Sequence, residues 1–402
     1  MGPLTGLRVI DMTTVVMGPY ATQTLGDYGA DVIKIEAPSG DVFRQAGAKR
    51  HAGMGAQFLA INRSKRSITL DVKKPEARDV VLRMCESADI LIYNLRPSSM
   101  SRLGVSYADV TRHNPRIIYV GAFGYGQDGP YADNPAYDDL IQGAALLPYL
   151  MQQSGSSAPR YVPLSMCDRV VGLFLVSAIL TGVIERTRSG KGQRIDVPMF
   201  ESMVSFVLSD QIGGLLFEPP LDDGGYARNL TPSRRPFRTK DGYLCALPYT
   251  DAHWRRLLGA IGRMDIMESD LCFATYATRL EHIGHVYDVL AGILENRSTD
   301  EWLNIFNQAD VPAMPMHDFD SLFQDPHLRT TQFFGTTIHP TEGRMRHLKV
   351  PVQFYRTPAE PERSAPTQGE HGHELLREFG YVSEEITALR DAGAWVPGAR
   401  AS

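Results

Sequence analysis

Asp168 is the residue of this chain with the most chemistry to offer, because it ends the run Leu164-Ser-Met-Cys and opens the longest apolar segment, Val170 to Ile184. A carboxylate in that place can cap a helix by accepting from its free N–H groups. It can also serve as a nucleophile held at the head of a buried element. On pattern alone the cap is the simpler reading. A glycine-rich turn, Gly121-Ala-Phe-Gly-Tyr-Gly126, follows an apolar run and could aim backbone N–H groups at a phosphate or an oxyanion. It does not match G-x-G-x-x-G and continues into Gln127-Asp-Gly-Pro130, so on spacing alone a plain tight turn is the favoured reading. Glu36 mimics a ribose-binding acid by position, yet the dinucleotide glycines are missing after Asp11, which leaves a solvated strand-end carboxylate as the expectation. His282 with His285, and His371 with His373, lack an acid or thiol at ligand spacing and read as surface histidines, so no metal is expected. Neither a G-x-S-x-G elbow nor a Walker A loop occurs.

The elements that must position these residues alternate in type. Leu7–Met12 suits a buried strand, Gly18-Pro19 opens a helix running to Leu25, and Asp31–Glu36 reads as a second strand. A strand, a helix and a strand in that order make a right-handed βαβ unit and imply a parallel sheet. The pattern repeats with strands at Ser67–Leu70, Asp89–Asn94 and Arg116–Gly121 and a helix at Glu76–Ser87. A long helix at Val170–Arg188, a strand at Gln193–Val197 and a helix from Phe200 follow. The predicted fold class is therefore α/β, a Rossmann-like doubly wound large domain. Residues 1–218 form its N-terminal part, and the Pro- and Gly-rich stretch 219–236 is a linker. Residues 237–324 form a smaller inserted α+β domain with a turn at Arg238–Gly242 and helices at Trp254–Gly262 and Thr299–Ala309. Residues 325–402 return to the large domain through strands at Thr336–His339 and Val350–Phe354 and a helix at Glu370–Phe379.

Composition narrows the function. At 402 residues with 43% hydrophobic and 22% charged residues, the chain can bury a full core. Its net charge of −5 and lack of basic runs leave nucleic acid no electrostatic footprint. Cys85, Cys167, Cys245 and Cys272 lie far apart without a C-x-x-C pair, so a reducing, cytoplasmic setting is expected. The N-terminus lacks the pattern of a signal peptide, and the Val170–Ile184 segment is shorter than the ~20 residues a membrane span needs. It is expected to be a buried core helix.

Further matches run nearly end to end. They include Leu7-Arg-Val-Ile-Asp11, Gly18-Pro-Tyr-Ala21, the stretch from Leu25 to Glu36, Gly40-Asp41, Asn62-Arg-Ser-Lys-Arg-Ser67, Asn94-Leu-Arg-Pro97 and Arg102-Leu-Gly104. Gly124-Tyr-Gly-Gln127, Gly129-Pro130, Gly190-Lys-Gly-Gln193 and Thr239-Lys-Asp-Gly242 continue the series. In these the chain resembles the class III CoA-transferases, a group that includes formyl-CoA:oxalate, carnitine and succinyl-CoA:dicarboxylate transferases and is related to the alpha-methylacyl-CoA racemases. The resemblance implies that Asp168 is the catalytic nucleophile, that CoA moves from an acyl-CoA to a free carboxylic acid through aspartyl anhydride and aspartyl-CoA thioester intermediates, and that no cofactor beyond CoA is needed. It implies CoA contacts at Val16, Lys65, Arg66, Asn94, Leu95, Arg96, Arg102 and Tyr137, with Arg44 as an addition and Gly124 and Gly126 lining the site. An interlocked homodimer is implied as well. The pair Cys167-Asp168 followed by Arg169 departs from the usual surroundings of the nucleophile, and only Gly224-Gly225 stands where a glycine-run lid would mark an oxalate enzyme. Tyr137 stands before Asp138 where a racemase has a histidine base. A racemase or epimerase, and a CoA-binding protein without catalysis, are the alternatives.

Overall fold

The computed structural model describes residues 2–398. Six strands, β1 (Arg8–Met12), β2 (Asp31–Glu36), β3 (Lys65–Leu70), β4 (Ile90–Tyr93), β5 (Ile118–Phe123) and β6 (Gln193–Pro198), pair in parallel in the order β3-β2-β1-β4-β5-β6. A short strand, Trp395–Val396, adds antiparallel to the outer edge of β3. β3, β4 and β5 are buried along their whole length, as a parallel sheet covered on both faces requires. The helix Pro75–Glu86 starts with Pro at its first turn and buries Ala77, Val80, Val81, Met84 and Cys85, a single stripe at helical spacing. Those side chains join Ile10, Ile33, Leu91, Tyr119, Leu375, Leu376 and Trp395 in one core.

The backbone divides into two compact units. One comprises Met1–Ala145, Pro163–Val204 and Leu328–Ser402, and the other Leu146–Val162 and Ser205–His327. The second unit packs Trp254, Phe273, Leu290, Trp302 and Phe306 into a core of its own, beside a three-stranded antiparallel sheet of Phe237–Arg238, Tyr243–Ala246 and Ala313–Pro315.

Two elements differ from the expectation. Val350–Phe354 is not a strand; Phe334–His339 instead pairs antiparallel with Gly343–Leu348, and Pro351 denies the later segment a ladder N–H. The apolar helix spans Met166–Ser189, 24 residues, and so has the length and composition of a membrane-crossing helix. Its buried residues, among them Val171, Gly172, Leu175, Ile179 and Gly182, nevertheless form one face packed in the first unit. Gly182 sits there because a Cβ would stand 2.7 Å from Ile195 Cδ1 of β6 and 3.2 Å from Ile118 Cγ2 of β5.

Candidate active site

The strand order reverses direction between β1 and β4, since β1 leads to β2 on one side while β4 leads to β5 on the other. The loops leaving such a pair at their carboxyl ends diverge and leave a crevice, which is where open α/β sheets bind ligands. Here those loops are Thr13–Val16 after β1 and Asn94–Arg96 after β4.

The loop after β1 delivers the helix Met17–Asp27. The helix begins at Met17, before the expected Gly18-Pro19, and Pro19 in its first turn has no N–H to offer, so Met17 and Gly18 are the free donors there. The Met17 N–H favours the ionised form of the Asp168 carboxyl. Two glycines permit that approach. A Cβ on Gly172, one turn beyond Asp168, would lie 2.9 Å from Tyr20 Cδ1 and 3.1 Å from the Met17 carbonyl oxygen, and one on Gly18 would lie 2.4 Å from Thr13 Cβ. Gly172→Val is therefore expected to cost about 1–3 kcal/mol of stability by overpacking and to lower kcat by parting Asp168 from its donor. Urea melts and steady-state rates check it, and an unchanged kcat would show that the contact is dispensable.

Asp168 lies in the first turn of its own helix and is only 8% exposed. Burial first, then the neighbouring Asp138 carboxylate, push its carboxyl up to about 7, against the opposing pull of Arg169 and the Met17 N–H. Asp138 Oδ1 accepts the Asp168 backbone N–H at 2.9 Å, and its Oδ2 accepts from Gln142 Nε2 at 2.7 Å. Gln142, fully buried, also donates to the Leu164 carbonyl at 3.2 Å. Asp138 and Gln142 thus fix the entry of the helix that carries Asp168. Arg169 lays its guanidinium over the Tyr20 ring, 4.7 Å from the centroid. A carboxyl poised near neutrality, a backbone N–H that favours its ionised form and a guanidinium beside it can together support attack on a carbonyl and hold the charge that develops.

The sequence-derived CoA contacts divide into two sets. Val16 is buried and stands at the N-cap of the helix that begins at Met17. Asn94, half-buried, clamps the Thr14 backbone, its Oδ1 accepting from Thr14 N at 3.2 Å and its Nδ2 donating to Thr14 O at 2.9 Å. Leu95, Arg96, Arg102 and Tyr137 are exposed, with Arg102 Nη2 donating to Ser99 Oγ at 2.9 Å.

Lys65 and Arg66 are engaged by the protein's own carboxylates. Lys65 is fully buried, with Nζ on Asp11 Oδ2 (3.1 Å), Pro19 O (3.0 Å) and Asn62 Oδ1 (2.8 Å). Arg66 is paired with Asp31, Glu374 and Glu378. Arg44 is likewise withdrawn, forming a two-pronged pair with Glu36 at 2.6 and 2.7 Å and stacking on Phe58. Glu36 is accordingly buried and ion-paired rather than solvated. In the glycine turn, the Gly126 N–H donates to Glu201 Oε1 at 2.8 Å, while Gly124 accommodates Ala136, whose Cβ a side chain would meet at 2.1 Å. That turn is closed by the protein's own groups.

Sequence reasoning missed Asp138, which it used only to mark the absent histidine before it, and it missed Met17, Gln142 and Gly172. The signal for Gly172 was its i, i+4 spacing from Asp168 on an apolar helix.

Comparison with known proteins bears directly on this arrangement. The family model described as CoA-transferase family III matches residues 4–372. An acyl-CoA transferase of Fusarium pseudograminearum is 31% identical, over 98% of this chain and 88% of its own length. A succinate–glutarate CoA-transferase of Agrobacterium fabrum is 31% identical over 96% of this chain and 98% of its own. The crystal structure of Rv3272 from Mycobacterium tuberculosis superimposes with a TM-score of 0.80 at 27% identity, covering 94% of this chain and 99% of that one. With the family pattern running through nearly all of the chain and the same fold beneath it, this protein belongs to CoA-transferase family III.

Proposed function

We propose that this CoA-transferase moves CoA from an acyl-CoA such as succinyl-CoA to a free mono- or dicarboxylic acid, with Asp168 as the covalent carrier. The observation that carries this reading is the Asp168 carboxyl itself, buried and pushed up to about 7 by burial and the neighbouring Asp138. The name of the Agrobacterium relative, a succinate–glutarate enzyme, favours dicarboxylates.

The steps balance without any group beyond CoA. An Asp168 oxygen attacks the thioester carbonyl, the C–S bond breaks, and CoA thiolate leaves a mixed anhydride. The thiolate then attacks the Asp168 acyl carbon, releasing the donor acid and forming an aspartyl-CoA thioester. The acceptor carboxylate attacks that same carbon and expels the thiolate, giving a second anhydride. Thiolate attack on the acceptor's acyl carbon finally yields the new acyl-CoA and restores the Asp168 carboxylate. Each oxyanion forms beside the Met17 N–H. Leu95, Arg96, Arg102 and Tyr137, exposed beyond β4 and before the Asp138 helix, are the groups that meet CoA. We place the enzyme in the cytoplasm as an interlocked homodimer, in which a second copy covers the exposed Leu173, Phe174 and Ile184 of the long helix.

Borohydride added after acyl-CoA is expected to reduce the thioester, convert residue 168 to homoserine in its peptide mass and stop turnover. A panel of free acids offered with succinyl-CoA and acetyl-CoA identifies the acceptor. In deuterated buffer without any acceptor acid, label at the α-carbon of the acyl-CoA would establish a racemase in place of a transferase.

A further inference from the structure

The loop between β1 and the helix Met17–Asp27 is bonded in an unusual way. Its backbone polar groups are taken up by side chains brought from three different strands. Asp11, at the end of β1, accepts the Thr13 N–H at 2.9 Å. Lys34 of β2 donates to the Thr13 carbonyl at 2.7 Å and pairs with Asp41 at 3.0 Å. Asp41 in turn accepts the Val15 N–H at 3.2 Å. Asn94, after β4, bonds both the N–H and the carbonyl of Thr14.

Lys34, Asp11 and Asp41 are almost wholly buried, 0%, 0% and 2% exposed. Buried charges of this kind are costly unless paired, and here their free valences end on one short loop. The loop needs them, because Val15 is held at φ 71°, a left-handed conformation that strains a β-branched residue. Freed from its bonds, Val15 would relax toward φ < 0 and swing the next two residues. Those residues are Val16 and Met17, and the Met17 backbone packs against the Asp168 helix so closely that a Cβ on Gly172 would lie 3.1 Å from the Met17 carbonyl oxygen, with the Met17 N–H favouring the ionised Asp168 carboxyl.

We propose that Lys34, Asp41 and Asn94 are positioning residues, which together with Asp11 hold Thr13–Val15 in its strained shape so that the start of the Met17–Asp27 helix stays seated against the helix that carries Asp168. The proposal rests on Asp168 acting as the covalent carrier. It gives Asn94 a task distinct from gripping CoA: its amide secures backbone that the nucleophile depends on. None of the positioning side chains has to touch substrate, since each acts through the loop.

The test uses Asn94, which is half-buried and outside the ion-pair chain. Asn94→Ala removes both bonds to Thr14. Asn94→Asp, equal in size, keeps the acceptor but sets a carboxylate against the Thr14 carbonyl, and it serves should the alanine variant fold poorly. Losing one preorganised oxyanion donor outright lowers kcat by about 10²–10³; a misaimed donor is expected to lower it by about 10–100-fold. KM for acyl-CoA and calorimetric affinity for free CoA are expected to change less than about twofold. The acid limb of the kcat profile is expected to move to higher pH, since the Met17 N–H favours the ionised carboxyl. A merely structural role would lower the melting temperature without moving that limb. Asp168→Ala is measured alongside. If it is inactive while both Asn94 variants keep wild-type kcat and acid limb, or lose only CoA affinity, the positioning role is wrong and the carrier role stands. If Asp168→Ala still exchanges CoA, both fall.

Discussion

Asp168→Asn is expected to lose CoA exchange by at least about 10⁴-fold, since an amide cannot form the anhydride, and at the same time to make the protein more stable. The second effect follows from the electrostatics of the site. The folded carboxyl titrates at about 7 against an ordinary 3.8, chiefly through burial and the adjacent Asp138. Each unit is worth about 1.4 kcal/mol, so after allowance for residual solvent the ionised side chain costs the fold on the order of 2–4 kcal/mol. Between pH 3.8 and about 7 the folded state holds a proton that the unfolded chain has released. Wild-type stability from this group therefore falls as pH rises through that window and levels off above it. The asparagine variant has no such loss, and its advantage should be absent below about pH 4 and full above about pH 7. Urea titrations of both proteins at pH 4 and pH 8 measure it, and an advantage that does not vary with pH would show that Asp168 is not held near neutrality. On the proposed carrier role the same ionisation governs activity: below about pH 7, kcat/KM should fall about tenfold per unit as Asp168 is protonated.

Lys65→Met is expected to act on stability in the opposite sense and by as much. The ammonium and the Asp11 carboxylate are both fully buried, and deleting one member of such a pair leaves an uncompensated charge at about 3–5 kcal/mol. Burial would raise the Asp11 carboxyl, yet Lys65, Lys34 and the Thr13 and Thr22 hydroxyls hold it down at about 2, and Lys65→Met removes the largest of those opposing contributions. Thr22 Oγ1 donates to the Asp11 carboxylate at 2.6 Å, which ties the damage to the helix that carries Met17. The urea midpoint should drop steeply. Were Lys65 a phosphate ligand instead, the midpoint would hold and KM for acyl-CoA alone would rise, which would restore the reading that the sequence first suggested.

That contrast shows where sequence reasoning reached its limit. The alternation of apolar runs and amphipathic helices foretold the parallel sheet, because each strand's burial and each helix's stripe are local in the chain. Asp168 was singled out through the apolar helix that it opens and the family pattern around it. Glu36 was misread because charge in a sequence is assumed to face water, although its partner Arg44 lies only eight positions away; Lys65 and Arg66 take partners from more distant segments. Arg66 meets Glu374 and Glu378, more than 300 positions away. Asp138 was passed over for the same reason, since its effect on Asp168 exists only once two helix starts converge. The Val350–Phe354 strand failed on a local rule that Pro351 already announced.

The Trp395–Val396 strand, laid along the outer side of β3, has a bearing on how the protein is made. β3 emerges from the ribosome at Lys65–Leu70, and its open flank waits for a partner roughly 300 residues downstream. At about 5–20 residues per second, that flank stands unprotected for something like 15–60 seconds of translation. A row of unpaired amides beside Ile68 and Leu70 is the kind of surface that recruits neighbouring chains. Chaperone capture of nascent chains stalled before residue 395 follows from the topology of the sheet alone.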